Sequence, residues 1–443
     1  MRAQKVEIVI IARFVPVIAI KFGLSTFILI LLLTAAFGQA ARSPFSTFGI
    51  GEPYGSSLIH NQGMAGTGVA QPQYWFLNNQ NPALLVFNYY TVIASGLLVE
   101  SKTIQGDTTN VKSTGGNLNY LAAAFPVKPG KWTTSVGLMP FTNVNYKFIY
   151  YDSVRDNNNN VVDTIAVQEQ GSGGLNQLYW SNGYRLHKNW AIGLKAAYIF
   201  SSIENDFANT LINVNQPVPF LIAVKEQTYV NDFQFTGGLS FSKDSLGKRN
   251  NIIVSAGLTY SFASNLKARK TTTYERRTAS GNPLTLDTLV TYRGKISIPS
   301  GLQAGFSVSK SANWSAAVEF GMQNWADFNS LNEDDLGSLG RAWRVAFGGE
   351  YTPDYLSSRF FDRVTYRAGF KLEHYPFLIN NNQLKDFGIN FGFSLPAGRS
   401  SIDLAFSTGK RGNRSENVLE ETYFKVYFGL TFNDQWFVRR KFD

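Results

Sequence analysis

Three histidines and no cysteine bound the reactions that this 443-residue chain can run. A Ser–His–acid site needs a histidine held between a nucleophile and a carboxylate. None of His60, His187 and His374 lies in a recognisable motif of that kind. Without cysteine there is no disulfide scaffold, no Cys-ligated zinc or iron–sulfur centre, no thiol nucleophile and no lipidated N-terminal Cys. The stretch Asp156-Asn157-Asn158-Asn159-Asn160 has the acidic and amide residues of a calcium loop. It lacks the central Gly and the final Glu of an EF-hand and reads as a solvated loop tip. Glu333-Asp334-Asp335 reads as a solvated acidic loop, an external cation site being the alternative. The cluster Gly63-Met64-Ala65-Gly66-Thr67-Gly68 is followed by no Gly-Lys-Ser/Thr and has no strand–turn–helix around it, which removes a phosphate-binding loop. The chain therefore reads as a non-enzyme without metal or cofactor; a lipase is the enzymatic alternative.

The composition says what kind of element carries these residues. Apolar residues make up 44%, charged residues only 16%, and aromatics 14%, with 39 Gly. Soluble domains carry roughly 25% charged residues. A mean hydropathy of −0.12 excludes a multi-helix membrane protein, and the aromatic content excludes a largely disordered chain. Many aromatics, many glycines and few charges are the profile of a transmembrane β-barrel. The net charge of +10 is scattered and comes with no nucleic-acid motif, so contact with anionic lipid or solvent explains it better than nucleic acid.

Residues 1–38 read as an export signal. A basic region containing Arg2, Lys5, Arg13 and Lys21 precedes the apolar run Phe22 to Ala36 and then Ala36-Phe37-Gly38, a small-x-small cleavage site; a second cut is available after Ala40. The apolar stretch Val6 to Ile20 makes the basic region unusually long. A misassigned start explains that, and one or two transmembrane helices are the alternative. After residue 88 apolar and polar residues alternate with the period of strands. Leu302, Ala304, Phe306 and Val308 face one way, and Gln303, Ser307 and Ser309 the other. The same pattern fills 189–200, 386–395 and the last strand with Phe424, Val426, Phe428, Leu430 and Phe432. About fourteen such segments cover 89–435, many longer than the roughly 9–11 residues that span a bilayer. Tight connections at 126–131, 187–189, 310–313 and 396–400 alternate with longer polar ones at 102–115, 152–162, 205–219, 324–340 and 410–420. Short turns on one side and long loops on the other mark an outer-membrane barrel. Trp132, Trp190, Trp314, Trp343 and Trp436 stand at strand ends, where interfacial girdles belong. With the apolar face toward lipid, strands nine to eleven turn Glu319, Arg344, Glu350, Arg367, Lys371 and Glu373 into the lumen. A lipid-facing charge costs about 2–4 kcal/mol at the midplane, so the inward placement follows. Mixed signs point to an ion-pair network bracing the wall, with a polar solute pathway as the alternative.

Residues 39–88 do not alternate and are rich in Gly, Asn, Gln and Pro. Asn61-Gln62-Gly63-Met64-Ala65-Gly66-Thr67-Gly68, followed by Asn81-Pro82-Ala83 just before the first strand, resembles the N-terminal hatch of FadL-type outer-membrane transporters. Gly137-Leu138-Met139-Pro140-Phe141-Thr142 is similar to the family's third strand, where a kink opens the wall sideways. Pro140 gives a physical reason for a break, because it donates no ladder hydrogen bond. The resemblance implies an all-β transmembrane barrel of about fourteen antiparallel strands in the outer membrane of a Gram-negative bacterium, with a plug in its lumen. It implies passive uptake of hydrophobic small molecules, such as long-chain fatty acids or aromatic hydrocarbons. In that mechanism Gly63, Gly66 and Gly68 lend flexibility to the hatch, of which Met64 is also a part, Asn81, Pro82 and Ala83 anchor it, and Pro140 holds the lateral opening. A basic tail over 436–443 departs from the family's usual end and could dock a periplasmic or outer-membrane protein. The competing expectation is a barrel that transports nothing and partners a secretion or outer-membrane assembly complex, as does the family-like shuttle barrel of the type 9 secretion system.

Overall fold

The computed structural model describes residues 39–106, 110–211, 220–244, 252–278, 280–311, 313–331 and 339–436. The export signal, the Glu333-Asp334-Asp335 loop and the tail beyond Trp436 lie outside the described residues. Fourteen antiparallel strands form the wall: β1 (Thr91–Gln105), β2 (Asn110–Lys128), β3 in two arms (Trp132–Pro140 and Thr142–Arg155), β4 (Val161–Arg185), β5 (Trp190–Leu211), β6 (Phe220–Lys243), β7 in two arms (Ile252–Ser261 and Ser264–Thr278), β8 in two arms (Pro283–Ile298 and Gly301–Lys310), β9 (Trp314–Asn324), β10 (Arg341–Tyr351), β11 (Thr365–Ile379), β12 (Asn382–Ala397), β13 (Ser400–Arg411) and β14 (Glu420–Asp434). β14 pairs with β1 from Glu420–Gln105 to Asp434–Thr91, which closes the barrel and leaves no sheet edge at that join.

The alternation read from the sequence sets the two faces. Val92, Ala94, Leu98, Glu100 and Lys102 of β1 are buried, while Ile93 and Val99 are exposed. Phe347, Phe370, Phe387, Phe391 and Phe424 are exposed on the outer wall. An apolar outer band of this kind belongs against hydrocarbon, and this places the barrel in a membrane. Trp132, Trp190 and Trp314 begin their strands on the short-turn side and are exposed, as an interfacial girdle requires; Trp343 begins β10 on the opposite side and stacks on His374 at 4.0 Å.

The wall is uneven in height. β4, β5 and β6 run for 25, 22 and 24 residues, whereas β9 and β10 have 11 each. A tilted strand crosses a bilayer in roughly 9–11 residues, so one side of the barrel stands far above the other. Three upper connections expected as long loops are strand over most of their described residues, 102–115 among them as the ends of β1 (to Gln105) and β2 (from Asn110). Polar residues at 152–162 continue the β3–β4 ladder up to a turn at 156–160, and 205–211 continues β5. Outside the bilayer neither face of a strand has to be apolar, so composition no longer separates strand from loop.

Candidate functional site

Residues 39–88 pack against the inner face of the wall. They contain 3-10 turns at Pro44–Thr47 and Pro82–Phe87, a short strand (Glu52–Pro53), a short helical turn (Ile59–Gln62) and otherwise irregular backbone held by amide side chains. Asn78 accepts from the backbone N–H groups of Gln80 and Asn81 at 3.0 and 3.1 Å and donates to the Gly68 carbonyl at 2.7 Å. Asn81 caps the second turn by accepting from Ala83 N, with Pro82 at the first position, where a missing N–H costs nothing. Its amide also donates to the carbonyls of Val69 at 2.8 Å and of Leu239 on the wall at 3.1 Å.

The segment lies on a track of wall glycines. A Cβ at Gly193 would strike the backbone of Pro82 and Ala83, one at Gly257 the carbonyl of Val69, and one at Gly348 the Met64 carbonyl at 2.5 Å. Gly369 likewise abuts Met64 and Ala65, and Gly392 abuts Gly63 at the wall. Gly68 has no room for a side chain beside Gln80, and Gly66 holds φ +77° next to Arg344. Close backbone approach is thus the physical use of the lumen-facing glycines. This was the signal that a reading of the strands as apolar–polar alternation passed over.

The six charged residues placed in the lumen all pair there, and they do more than brace neighbouring strands. Arg344 meets Glu319 at 2.9 Å, and Glu319 accepts from the backbone N–H groups of Gly68 and Val69 at 2.9 and 3.0 Å. Arg344 also donates to the Ala65 carbonyl. Arg367 meets Glu350 at 3.0 Å, and Glu350 accepts from Gln73 at 3.1 Å. Lys371 meets Glu373 at 2.8 Å and Asp386 at 3.4 Å. From Asp386 the network continues to Arg411, Glu421, Lys102 and Glu100, and Glu52 of the N-terminal segment sits in it between Arg411 and Lys102. Burial pushes the Glu52 carboxyl up, but Arg411, Lys102 and Lys425 outweigh it and bring it down from 4.5 to about 2. The same inward parity that picks out Glu319 on β9 applies to Glu100, Lys102, Asp386, Arg411 and Glu421, so these too were readable from the alternation. Between the segment and the wall remains a polar cavity of about 370 Å³, reached by Lys195, Gln177, Gln234, Arg344 and Glu373.

The wall itself has a seam. The β2–β3 ladder runs from Lys128–Trp132 to Leu121–Leu138 and stops. β3 breaks after Pro140, and its upper arm pairs with β4 alone among the wall strands. The upper halves of β2 and β3 therefore face each other without a ladder, and residues 39–54 lie across the gap. Glu52 and Pro53 pair with Asn143 and Thr142 of β3. Ser43 N donates to the Asn145 carbonyl at 2.8 Å, and Tyr54 N to that of Phe141 at 3.0 Å. On the other edge Gly116 N donates to the Gln39 carbonyl at 3.0 Å and Tyr54 OH to Asn117 at 2.9 Å.

Beside the seam the inner face turns apolar. Val144, Ile199, Ile203, Val230, Leu266 and Ile296 form a buried cluster in the barrel mouth. Trp325 and Phe328, from the β9–β10 connection, and Ile50 cover it. Among the described residues His60 is buried and stacked on Phe76 at 4.7 Å with its Nε2 unpartnered, and His374 meets Gln383 at 3.5 Å and stacks on Trp343. Burial, with the nearby Arg367 charge, holds the His60 imidazole well below its ordinary range and therefore neutral. The Asp156 carboxylate accepts from the backbone of Asn158 and Asn160 at 2.8 Å each and closes a turn. No cluster of metal-ligating side chains occurs among the described residues.

Solved structures share this architecture. The Pseudomonas putida toluene transporter TodX is 15% identical with a TM-score of 0.54, covering 88% of this chain and 100% of its own. A Pseudomonas aeruginosa FadL homologue is 11% identical with a TM-score of 0.54, covering 86% and 98%. The fold is thus the FadL-type barrel that the sequence led us to expect. No curated protein matches the chain. The BamG family model, however, matches from residue 20 to residue 443, and with nearly the whole length accounted for the chain belongs to the BamG family.

Proposed function

We propose that the protein passes small hydrophobic molecules, of the long-chain fatty acid or aromatic hydrocarbon class, from the barrel mouth sideways into the outer membrane. The observation that carries this reading is the apolar inner face at the mouth, which continues through Val144 to an unladdered seam in the wall. A hydrophobe captured there, in place of Trp325 and Phe328, has a short apolar route to lipid. It need not cross the polar cavity below, where desolvated charges would give it nothing to bind. Residues 39–88 act as the hatch, and their first part, 39–54, stoppers the seam; Pro140 ends the β3 arm at which it begins. The names of the two fold relatives, a toluene transporter and a FadL homologue, agree with that class of cargo.

A second reading, a barrel that partners other envelope proteins, draws on the tall wall of β4 to β6, which exposes polypeptide well beyond the bilayer. Native mass spectrometry of the protein extracted gently from its own membrane separates the two. The transport reading expects an apolar adduct of discrete mass on an otherwise lone barrel. A stoichiometric protein complex around a barrel without adduct contradicts it and favours the second.

A further inference from the structure

Well above the apolar band, the outer face of the β7–β8 hairpin carries four cations in two facing pairs. Lys267 stands directly opposite Lys295, and Arg269 opposite Arg293. Leu266, Ala268, Ile296 and Ile298 are buried on the inner face. The alternation therefore turns all four cations outward, where each is exposed. Like charges directly opposite one another weaken a ladder. The surroundings compensate little. Across from Lys267 and Arg269 on β6 are Asn231 and Tyr229. Asp232 reaches Lys267 at only 4.0 Å, and the Arg269 guanidinium lies 5.0 Å from the Tyr229 ring centre. Arg293 and Lys295 have no acidic partner among the described residues. An arrangement that repels itself in isolation is accounted for by an anion that bridges it.

Position identifies the anion. Tyr260, Phe262 and Phe235, 42%, 48% and 46% exposed, form the aromatic rim below. At about 3.3 Å per residue and a tilt near 40°, the two pairs stand roughly 12–18 Å above Phe262. A simple phospholipid headgroup layer is only about 5–8 Å deep. A glycolipid whose sugars carry phosphates reaches that height while its acyl chains lie against the band below. We propose that the outer wall of β7–β8 binds the phosphorylated sugar headgroup of a lipopolysaccharide-type lipid through Lys267, Lys295, Arg269 and Arg293. The site faces lipid and shares no residue with the seam or the mouth, so it stands or falls apart from the transport reading.

The test is a binding titration of the detergent-solubilised full-length barrel with a lipopolysaccharide whose core sugars carry phosphates, its dephosphorylated form and inorganic phosphate. The variants are K267Q/K295Q and R269Q/R293Q, with R155Q, another exposed cation of the tall wall, as control. Thermal melting checks that each folds. The expected result is that wild type and R155Q prefer the phosphorylated lipid, that each double variant loses about thirtyfold in its affinity, and that equimolar phosphate does not displace it. Equal affinity for both lipids, or no loss in the double variants, overturns the proposal. Displacement by equimolar phosphate overturns it in favour of a free-anion site.

Discussion

Glycine does the positioning in this lumen. Wall positions at which a methyl group would overlap the N-terminal backbone are what let a fifty-residue segment lie flat against a curved sheet. The neighbouring outward position gives a matched control. A Cβ at Gly193 meets Pro82, whereas a Cβ at Gly237 meets nothing nearer than 3.8 Å. Gly193→Ala should weaken the seating of residues 39–88 by about 1–3 kcal/mol, the usual cost of overpacking, and speed their proteolysis in native membranes. Gly237→Ala should leave that proteolysis unchanged, and equal rates for the two would refute the track. Glu52 supplies a second prediction at this scale. Its carboxyl is held at about 2, below its ordinary 4.5, so its ion pairs with Arg411 and Lys102 contribute in full above pH 4.5 and are lost only as the pH falls through about 2. Hydrogen exchange at residues 51–54 should accordingly stay slow at pH 4. Rapid exchange there would mean that the carboxyl is not held down.

At the scale of elements, strand existence and facing were legible because a bilayer imposes a period-two contrast on every wall strand. Phe387, Ile389 and Phe391 on β12 show it as plainly in the structure as in the sequence. The contrast ends where the bilayer ends. Residues 205–211 read as loop for that reason, yet they extend β5 beside β4. Residues 39–88 were legible as largely non-strand, and Asn81-Pro82 as a turn, since a cap and a proline at the first helical position leave a local signature. What the sequence did not display was the partner of each wall charge. Glu319 joins β9 to the Gly68 and Val69 amides across 250 residues, and no local spacing encodes that distance. If the segment is a plug, deletion of residues 43–80 should admit large antibiotics through the outer membrane. Unchanged sensitivity of the producing cells would show that the lumen is sealed without it.

Over the whole molecule three layers stack along the barrel axis. The lower lumen is polar and the chain's own N-terminal segment packs against its inner face, the mouth is apolar and capped by Trp325 and Phe328, and a one-sided wall rises above both. In the proposed route the mouth connects to lipid through the seam that residues 39–54 cover. The central claim is that this cover must move for a hydrophobe to leave. Pro53 and Thr142 are facing residues, and the adjacent Tyr54–Phe141 hydrogen bond makes theirs the non-bonded pair, at about 4.5 Å between Cα atoms, which suits a disulfide. Because the natural chain has no cysteine, P53C/T142C would carry one bridge and no other. The decisive measurement is uptake of radiolabelled oleate or toluene by cells producing this variant, before and after reduction. The account predicts that the oxidised variant loses the uptake and that a reductant restores it. Uptake at the wild-type rate with the bridge intact would contradict it.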